Sequence, residues 1–222
     1  MEILELTQSN VRLDIEAGSV RSWLVMQRSD GVCSMDISVG AGASLELAFI
    51  VLGDVRVSNR LDIRLTGEGA SCRLRGLWLL NGQADVSFTV NMNHEVPHCT
   101  SEQLFKGIEG GGAHSDFFGL IRVAPDARKT EARQQCHNLL LTDKARANAK
   151  PQLEIYADDV ICTHGATVGR LADEELFYMR SRGISLEEAQ KMQLTVFAAE
   201  VLDIVPEEVA EGLQGWIDAI SE

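Results

Sequence analysis

The chain has 222 residues, of which 45% are hydrophobic and 24% charged, and its formal net charge at pH 7 is −13. This composition is typical of a soluble globular protein of one or two domains, and no segment approaches the ~18 uninterrupted apolar residues of a membrane helix. The negative charge argues against binding to nucleic acid or anionic membranes, because an acidic surface repels both polyanions.

The N-terminal residues and the cysteines indicate a reducing compartment. The first thirty residues alternate polar and apolar side chains and include several acids, so we expect no secretory signal and a cytoplasmic location. The five cysteines form no CxxC pair and are odd in number, which argues against a disulfide framework. They are Cys33, Cys72, Cys99, Cys136 and Cys162.

Short runs with a period of two dominate the first part of the chain, up to about His94. A period of two predicts β-strands that bury one face, and helical spacing is nowhere sustained before about residue 170. This part is therefore predicted to be all β. The clearest runs are residues 11–15, 35–39, 45–47, 55–57, 61–65 and 86–90.

A weak internal repeat places small residues before the strands, at residues 40–45, 67–72 and 82–86, with glycine-free versions at 124–128 and 143–147. Sharp corners followed by brief strands are typical of a β-solenoid, in which each coil stacks on its neighbours. A β-sandwich is the alternative, since its strands also recur at short intervals. We favour the solenoid because two-residue hairpin turns of the NG or DG type are scarce.

The segment between residues 94 and 130 has ligand chemistry of low specificity. Its glycine run at 110–112 lacks the Gly-Lys-Ser/Thr ending and following helix of a phosphate loop, so a turn is the better prediction. His94, His98 and Cys99 are metal-ligand types, but Pro97 interrupts any helix that would align them. Partial burial of these side chains is the simpler interpretation.

The pattern becomes helical after His164. Residues 174–182 predict a short helix with Asp173 as its N-cap and Gly183 as its end. Ser185 and Glu188 form a capping-box pattern for a second helix whose apolar face reaches Val205. A third helix is predicted from Pro206 to about residue 220. Three short helices cannot bury their apolar faces among themselves, so we expect them to dock on the β-region or on another subunit.

Cys136 and His164 are the residues best suited to carry chemistry, and they lie in strand-like runs 28 residues apart. In a solenoid this separation can place them on neighbouring coils. Thiolate and imidazole are soft metal ligands, and iron-sulfur clusters accept both. A Cys-His nucleophilic pair is a weaker alternative, since no orienting group is evident. Asp158 and Asp159 are adjacent on a strand and face opposite sides, so they cannot form an acid-base pair.

Seven segments in this order resemble the SufB/SufD family of iron-sulfur cluster assembly proteins, with a leaning towards SufD. The resemblance is most specific over about residues 100–184. The segments are residues 105–108 (FKGI), 127–134 (ARKTEARQ), 138–141 (NLLL), 150–160 (KPQLEIYADDV), 162–169 (CTHGATVG), 176–178 (LFY) and 181–184 (SRGI).

The resemblance implies a mainly β fold: a right-handed parallel β-helix core over residues 1–170 and a small C-terminal α-helical domain over residues 171–222. It also implies a non-catalytic scaffold that builds a transient iron-sulfur cluster together with an ABC-type ATPase, SufC. By motif position, Cys136 matches the interface cysteine of SufB and His164 matches the interface histidine of SufD. Both are therefore expected to be cluster or sulfur ligands in a dimer, formed with a second copy or with a SufB-like chain through the β-helix.

The ATPase is expected to dock on the helical region, at Leu176, Phe177, Tyr178 and Arg182. Compared with typical family members, the sequence shows neither the N-terminal helical region nor the cysteine-rich SufB motif. A second hypothesis therefore stays open, in which the chain is a docking partner of the ATPase and binds no cluster. A β-helix enzyme acting on polysaccharide is disfavoured, because neither a secretory signal nor a carboxylate pair is evident.

Overall fold

The computed structural model describes residues 2–4 and 10–220. Strands fill most of the chain up to Gly169, and three α-helices follow. The strands are β1 (Glu2–Leu4), β2 (Asn10–Ile15), β3 (Val20–Gln27), β4 (Gly31–Val39), β5 (Ser44–Gly53), β6 (Arg56–Leu65), β7 (Ser71–Leu80), β8 (Asp85–His94), β9 (Thr100–Glu109), β10 (His114–Val123), β11 (Glu131–Leu140), β12 (Arg146–Ile155) and β13 (Ile161–Gly169).

The strands form two parallel sheets, one from the odd-numbered strands and one from the even-numbered strands, each in sequence order. The chain therefore alternates between the sheets, and each coil adds one strand to each sheet. This arrangement is a parallel β-solenoid of about five turns. The predicted solenoid is confirmed and the β-sandwich alternative is wrong. Successive coils stack in register, so that Ser71 pairs with Thr100 and Thr100 pairs with Glu131.

The interior between the two sheets, which we call the lumen, is filled by side chains. In the middle coils it is lined by aromatic rings. Trp78 stacks on Phe88 at 5.5 Å between ring centroids, and Phe105 lies 4.7 Å from Phe117. Such pairs add to the free energy gained from burial alone. The alternating runs of the sequence supply these inward side chains.

The outer face of the odd-numbered sheet is also apolar, because the helices cover it. In β5 all six residues from Leu47 to Leu52 are buried, so the alternation is lost there and the sequence pattern underestimates the strand length. The predicted runs span three to five residues, whereas β5 to β12 are each ten residues long. Helix residues including Leu194, Leu213 and Ile217 pack against this face.

The helices are α1 (Asp173–Ser181), α2 (Leu186–Ala199) and α3 (Glu207–Ile220), with a short 3-10 helix, Leu202–Ile204, before the last. The capping box of Ser185 and Glu188 is confirmed. The N-cap of α1 is Ala172 and not the predicted Asp173, which lies in the first turn. The predicted continuation of α2 to Val205 is also wrong, because the helix ends at Ala199 and the 3-10 helix follows.

Two ion pairs, each between a buried cation of the odd-numbered sheet and a more exposed acid, connect this sheet to the helical region. The side chain of Arg75 is 4% exposed and donates to Asp203 from Nε at 2.9 Å and from Nη2 at 3.0 Å. The side chain of Lys106 is 3% exposed, lies 2.8 Å from Glu200 Oε2 and sits over the Phe197 ring. Buried charges need such partners, because an unpaired charge in the interior is costly.

We expect the substitution Asp203→Ala to lower the free energy of unfolding by about 2 kcal/mol, since the buried Arg75 would keep only Glu102 as an ion-pair partner. Urea unfolding followed by circular dichroism measures this loss. The control is Glu187→Ala, which removes an exposed pair with Lys191 and should change stability by less than about 0.5 kcal/mol. Equal effects of both substitutions would contradict the prediction.

Among the residues that the structure describes, no helix has the length and apolar character to cross a membrane.

Candidate functional site

Cys136 and His164 lie on adjacent strands at the C-terminal end of the solenoid. Cys136 is in β11 and pairs with Ala166 of β13, while His164 pairs with Gln134 of β11. Paired residues of a parallel ladder point to the same side of the sheet, so Cys136, Gln134 and His164 all face the lumen. The predicted proximity on neighbouring coils is thus confirmed, with a stagger of two residues. Within residues 10–220, no strand pairs with the outer edge of β13 or of β12.

Cys136 is fully buried in the lumen. Burial raises the pKa of its thiol to about 12, although the hydrogen bond from Asn138 Nδ2, at 3.6 Å, opposes this shift. The charge of Glu109 adds to the rise. Cys136 is therefore a neutral thiol at pH 7 in this conformation, and becoming a thiolate ligand would require that the last coil expose it.

His164 also faces the lumen, but it is exposed. The reason is that β13 is the last strand of the odd-numbered sheet, and no strand of the described residues stacks on it. Cys162 lies two residues earlier on the same face of β13, about 7 Å away along the strand. It is partly buried against the core, and burial raises the pKa of its thiol, while a backbone hydrogen bond to Ala132 lowers it. The shared face of Cys162 and His164 follows from strand alternation in the sequence. The structure adds that this face lies on the edge strand of the odd-numbered sheet.

Glu109 and its neighbours form a second polar group in the lumen, close to Cys136. Glu109 is fully buried, and its Oε1 accepts hydrogen bonds from Trp78 Nε1 and Ser115 Oγ, both at 2.7 Å. Its Oε2 and Asn138 Oδ1 accept no hydrogen bond from any described residue. We call Trp78, Glu109, Ser115 and Asn138 the lumen polar cluster. No pattern in the sequence indicated it, because the four residues are scattered over several strands.

Gly107 makes room for the lumen polar cluster. A Cβ atom on this residue would lie 2.0 Å from Trp78 Nε1 and 2.4 Å from both Asn138 Oδ1 and Glu109 Oε1. Any side chain at this position would therefore displace the polar atoms that meet there. Gly107 belongs to the FKGI motif, so the structure provides a packing reason for that glycine.

The histidines and glycines between residues 94 and 112 lie in the core or at turns. His94 is buried and lies 2.9 Å from Ser101 Oγ, and burial lowers the pKa of its imidazole to about 4. Cys99 is buried too, whereas His98 is exposed at a turn. The glycine run forms the turn between β9 and β10, with Gly111 at a φ of 60°. Within the described residues no group of three or more His, Cys, Asp or Glu is arranged to hold a metal ion.

Three of the four residues expected to meet the ATPase are exposed. Phe177 and Tyr178 in α1 are 74% and 60% exposed, which is unusual for large aromatic side chains. Arg182 is exposed next to them, with its guanidinium 5.2 Å from the centre of the Tyr178 ring. Leu176 is buried.

The thiols should differ sharply in their reaction with iodoacetamide. We expect native protein to be modified at Cys162 alone, because the other four cysteines are buried. Peptide mass spectrometry after a short exposure measures the site, and the same reaction in guanidinium should modify all five. The variant Cys162→Ser should leave the native protein almost unmodified. Modification of Cys136 at a similar rate would instead show that the last coil opens readily.

The stacked coils place the chain among the parallel β-solenoid proteins, and a comparison with protein families identifies the class. Residues 4–197 match the family model described as "SUF system FeS cluster assembly, SufBD core domain". The chain therefore belongs to the SufBD family of iron-sulfur cluster assembly proteins, as the resemblance of its motifs predicted.

Individual relatives agree with this assignment. The chain is 40% identical over 158 residues to the iron-sulfur cluster assembly protein SufD of Escherichia coli, covering 71% of this chain and 37% of that protein. It is 35% identical over 186 residues to an iron-sulfur cluster assembly SufBD family protein of Synechocystis, covering 81% of this chain and 41% of that protein. A SufBD family protein of Mycobacterium leprae is 32% identical over 172 residues, which is 74% of this chain and 44% of that protein. The chain thus spans about two fifths of the length of these relatives.

Proposed function

We propose that the chain is a SufD-like scaffold subunit of iron-sulfur cluster assembly, with the cluster as cargo that it holds and passes on. The observation that carries the proposal is the placement of His164 and Cys162 on one face of the exposed edge strand β13, with Cys136 on the neighbouring strand beneath. Imidazole and thiolate are ligands that iron-sulfur clusters accept. The chain acts by holding the cluster through these side-chain ligands and not by catalysis.

A second chain completes the site in this proposal. In the part of the chain that the structure describes, no strand pairs with the outer edges of β12 and β13, and such edges readily accept a strand from another chain. Pairing with a second copy or with a SufB-like chain would place further ligands opposite His164 and Cys162. Cys136 joins the ligand set only when the last coil moves, since it is buried as a neutral thiol in the single chain.

The partner that drives such movement is proposed to be an ABC-type ATPase in the cytoplasm. The exposed aromatic rings of Phe177 and Tyr178, with Arg182 beside them, form a surface of the composition that protein interfaces favour. This surface lies on the helical region, which is tied to the solenoid through Arg75 and Lys106. A force applied to the helices would therefore reach the odd-numbered sheet that includes β13.

The burial of Cys136 supports a second candidate function. If the last coil never opens, the chain docks the ATPase and holds no cluster. The two candidates differ in whether iron and sulfide depend on the residues at the edge strand.

The test is anaerobic co-expression with the ABC-type ATPase, followed by iron and acid-labile sulfide analysis of the purified complex. We expect His164→Ala and Cys136→Ser to lose most of the iron and sulfide while the complex stays intact, and Cys162→Ser to lose part of it. The control is His98→Ala, which removes an exposed histidine at the turn before β9, two coils away from the edge strand β13. A stable wild-type complex without iron or sulfide would overturn the scaffold role and favour the docking partner.

A further inference from the structure

A column of polar side chains leads from the lumen to His164. Gln103 of β9 pairs with Gln134 of β11, and Gln134 pairs with His164 of β13. Neighbouring strands lie about 4.8 Å apart, and paired residues point to the same side of the sheet. His164 therefore stands directly above Gln134, which stands above Gln103.

Gln134 is enclosed in the lumen and bonded to Gln103. It is fully buried, and its Nε2 donates a hydrogen bond to Gln103 Oε1 at 2.9 Å. Gly119 of the facing strand β10 leaves room for its amide, because a Cβ there would lie 2.5 Å from both Nε2 and Oε1. In this orientation Nε2 faces Gln103, and Oε1 is left for another donor.

The other atom of this amide, Oε1, accepts no hydrogen bond from any described residue. A buried carbonyl oxygen without a donor costs about 1–3 kcal/mol, so such atoms usually have a role or a missing partner. Two column neighbours with N–H groups lie one strand away from Gln134, namely Gln103 on one side and His164 on the other. The Nε2 of Gln103 is likewise without a hydrogen-bond partner among the described residues, but its amide already accepts from Gln134 through Oε1, so we take the imidazole of His164 as the donor on the open side. A histidine that binds a metal through one ring nitrogen commonly donates the N–H of the other to a carbonyl or carboxylate.

We propose that Gln134 is a positioning residue for His164, whose ring N–H donates to Gln134 Oε1 and leaves the second ring nitrogen free for the ligand. Gln103 and Gly119 hold the acceptor in place. The ligand role of His164 rests on the proposed function. The hydrogen bond to Gln134 involves this chain alone, requires the imidazole to turn towards Oε1, which has no donor among the described residues, and is measured separately.

The first measurement is made on the metal-free chain labelled with 15N-histidine, with the signals of His164 assigned by their loss in His164→Ala. We expect one tautomer to dominate in the wild type and in Gln134→Glu, which keeps an oxygen acceptor at this place. In Gln134→Leu the ring nitrogen shifts should move to those of a free mixture of tautomers. The matched control is Asn59→Leu, which removes another buried lumen amide, bonded to Gln27, far from His164 in sequence.

The second measurement is the affinity for Zn²⁺ alone by titration calorimetry. Loss of an outer hydrogen-bond partner typically weakens metal binding about 10- to 100-fold, so Gln134→Leu should lose that much while Gln134→Glu and Asn59→Leu keep the wild-type affinity. If Gln134→Leu fails to fold, Gln134→Met replaces it. The tautomer of His164 in the wild type tests the hydrogen bond even without a variant.

The outcomes separate the two ideas. Two results overturn the positioning role, whatever the affinity for metal. One is a mixture of His164 tautomers in the wild type, and the other is a tautomer population that does not change in Gln134→Leu. Zn²⁺ binding that is equal in the wild type and His164→Ala overturns the ligand role of His164, and a Gln134-dependent tautomer would then still establish the hydrogen bond.

Discussion

Replacing Gly67 by alanine should lower the free energy of unfolding by about 4 kcal/mol or more, at the upper end of what single substitutions do. Gly67 lies at the corner between β6 and β7, where a Cβ would come within 1.9 Å of the backbone nitrogen of Ala41 and 2.3 Å of its Cα. Backbone atoms of the coil beneath cannot rotate away as a side chain can, so the stacking of two coils would have to change. Soluble yield and the midpoint of urea unfolding measure the effect.

The matched control is Gly165→Ala in the edge strand β13. A Cβ at Gly165 meets no atom within 4 Å, so we expect a change in stability below about 0.5 kcal/mol. A midpoint for Gly67→Ala that stays close to the wild-type value would mean that the two coils have room for a methyl group between their corners. Steric exclusion of a side chain would then no longer explain why this corner has small residues.

Replacing Glu109 by glutamine should change how stability depends on pH. Burial raises the pKa of this carboxyl to about 7, even though hydrogen bonds from Trp78 and Ser115 lower it. The unfolded chain ionises Glu109 from about pH 4.5, while the folded protein keeps the proton until about pH 7. The contribution of Glu109 to the free energy of unfolding is therefore fully present below pH 4.5 and is lost, by about 3 kcal/mol, as the pH rises to 7.

Glu109→Gln should accordingly match the wild type near pH 4 and exceed it by up to about 3 kcal/mol at pH 8. The glutamine keeps the acceptor for Trp78 and Ser115 and carries an amide donor in place of Oε2. Urea unfolding at both pH values measures the difference, and the contribution of His94 cancels because both proteins contain it. Glu131→Gln, an exposed change in the same sheet, should follow the wild-type curve. A constant difference between Glu109→Gln and wild type would show that the buried carboxyl does not titrate in this range.

The fold was largely predictable because its signals are local. Small residues at 40–45 and 67–72 indicate sharp corners, and period-two runs such as 61–65 indicate strands with one buried face. The capping box of Ser185 and Glu188 marked the start of α2 correctly. The strand lengths were underestimated where helices cover the sheet, since a strand buried on both faces no longer alternates.

The placement of Cys136 and His164 on neighbouring coils was predictable, but their exposure was not. The spacing of Cys136 and His164 indicated neighbouring coils, and both do face the lumen. The sequence could not show that one coil of stacking separates a buried neutral thiol from an exposed imidazole. Gln134 and Glu109 were missed for the same reason, because most of the atoms they meet belong to strands about 30 residues away in sequence.

The amino-acid sequence by itself determined the repeating coil, the change to helices after His164 and the family, because periodicity, corner residues and motifs are properties of neighbouring residues. The tertiary structure alone decided which inward-facing side chains are sealed in the lumen and which stand at its edge. That distinction depends on how many coils are stacked above each residue, and burial, hydrogen-bond partners and the pKa of Cys136 and Glu109 all follow from it.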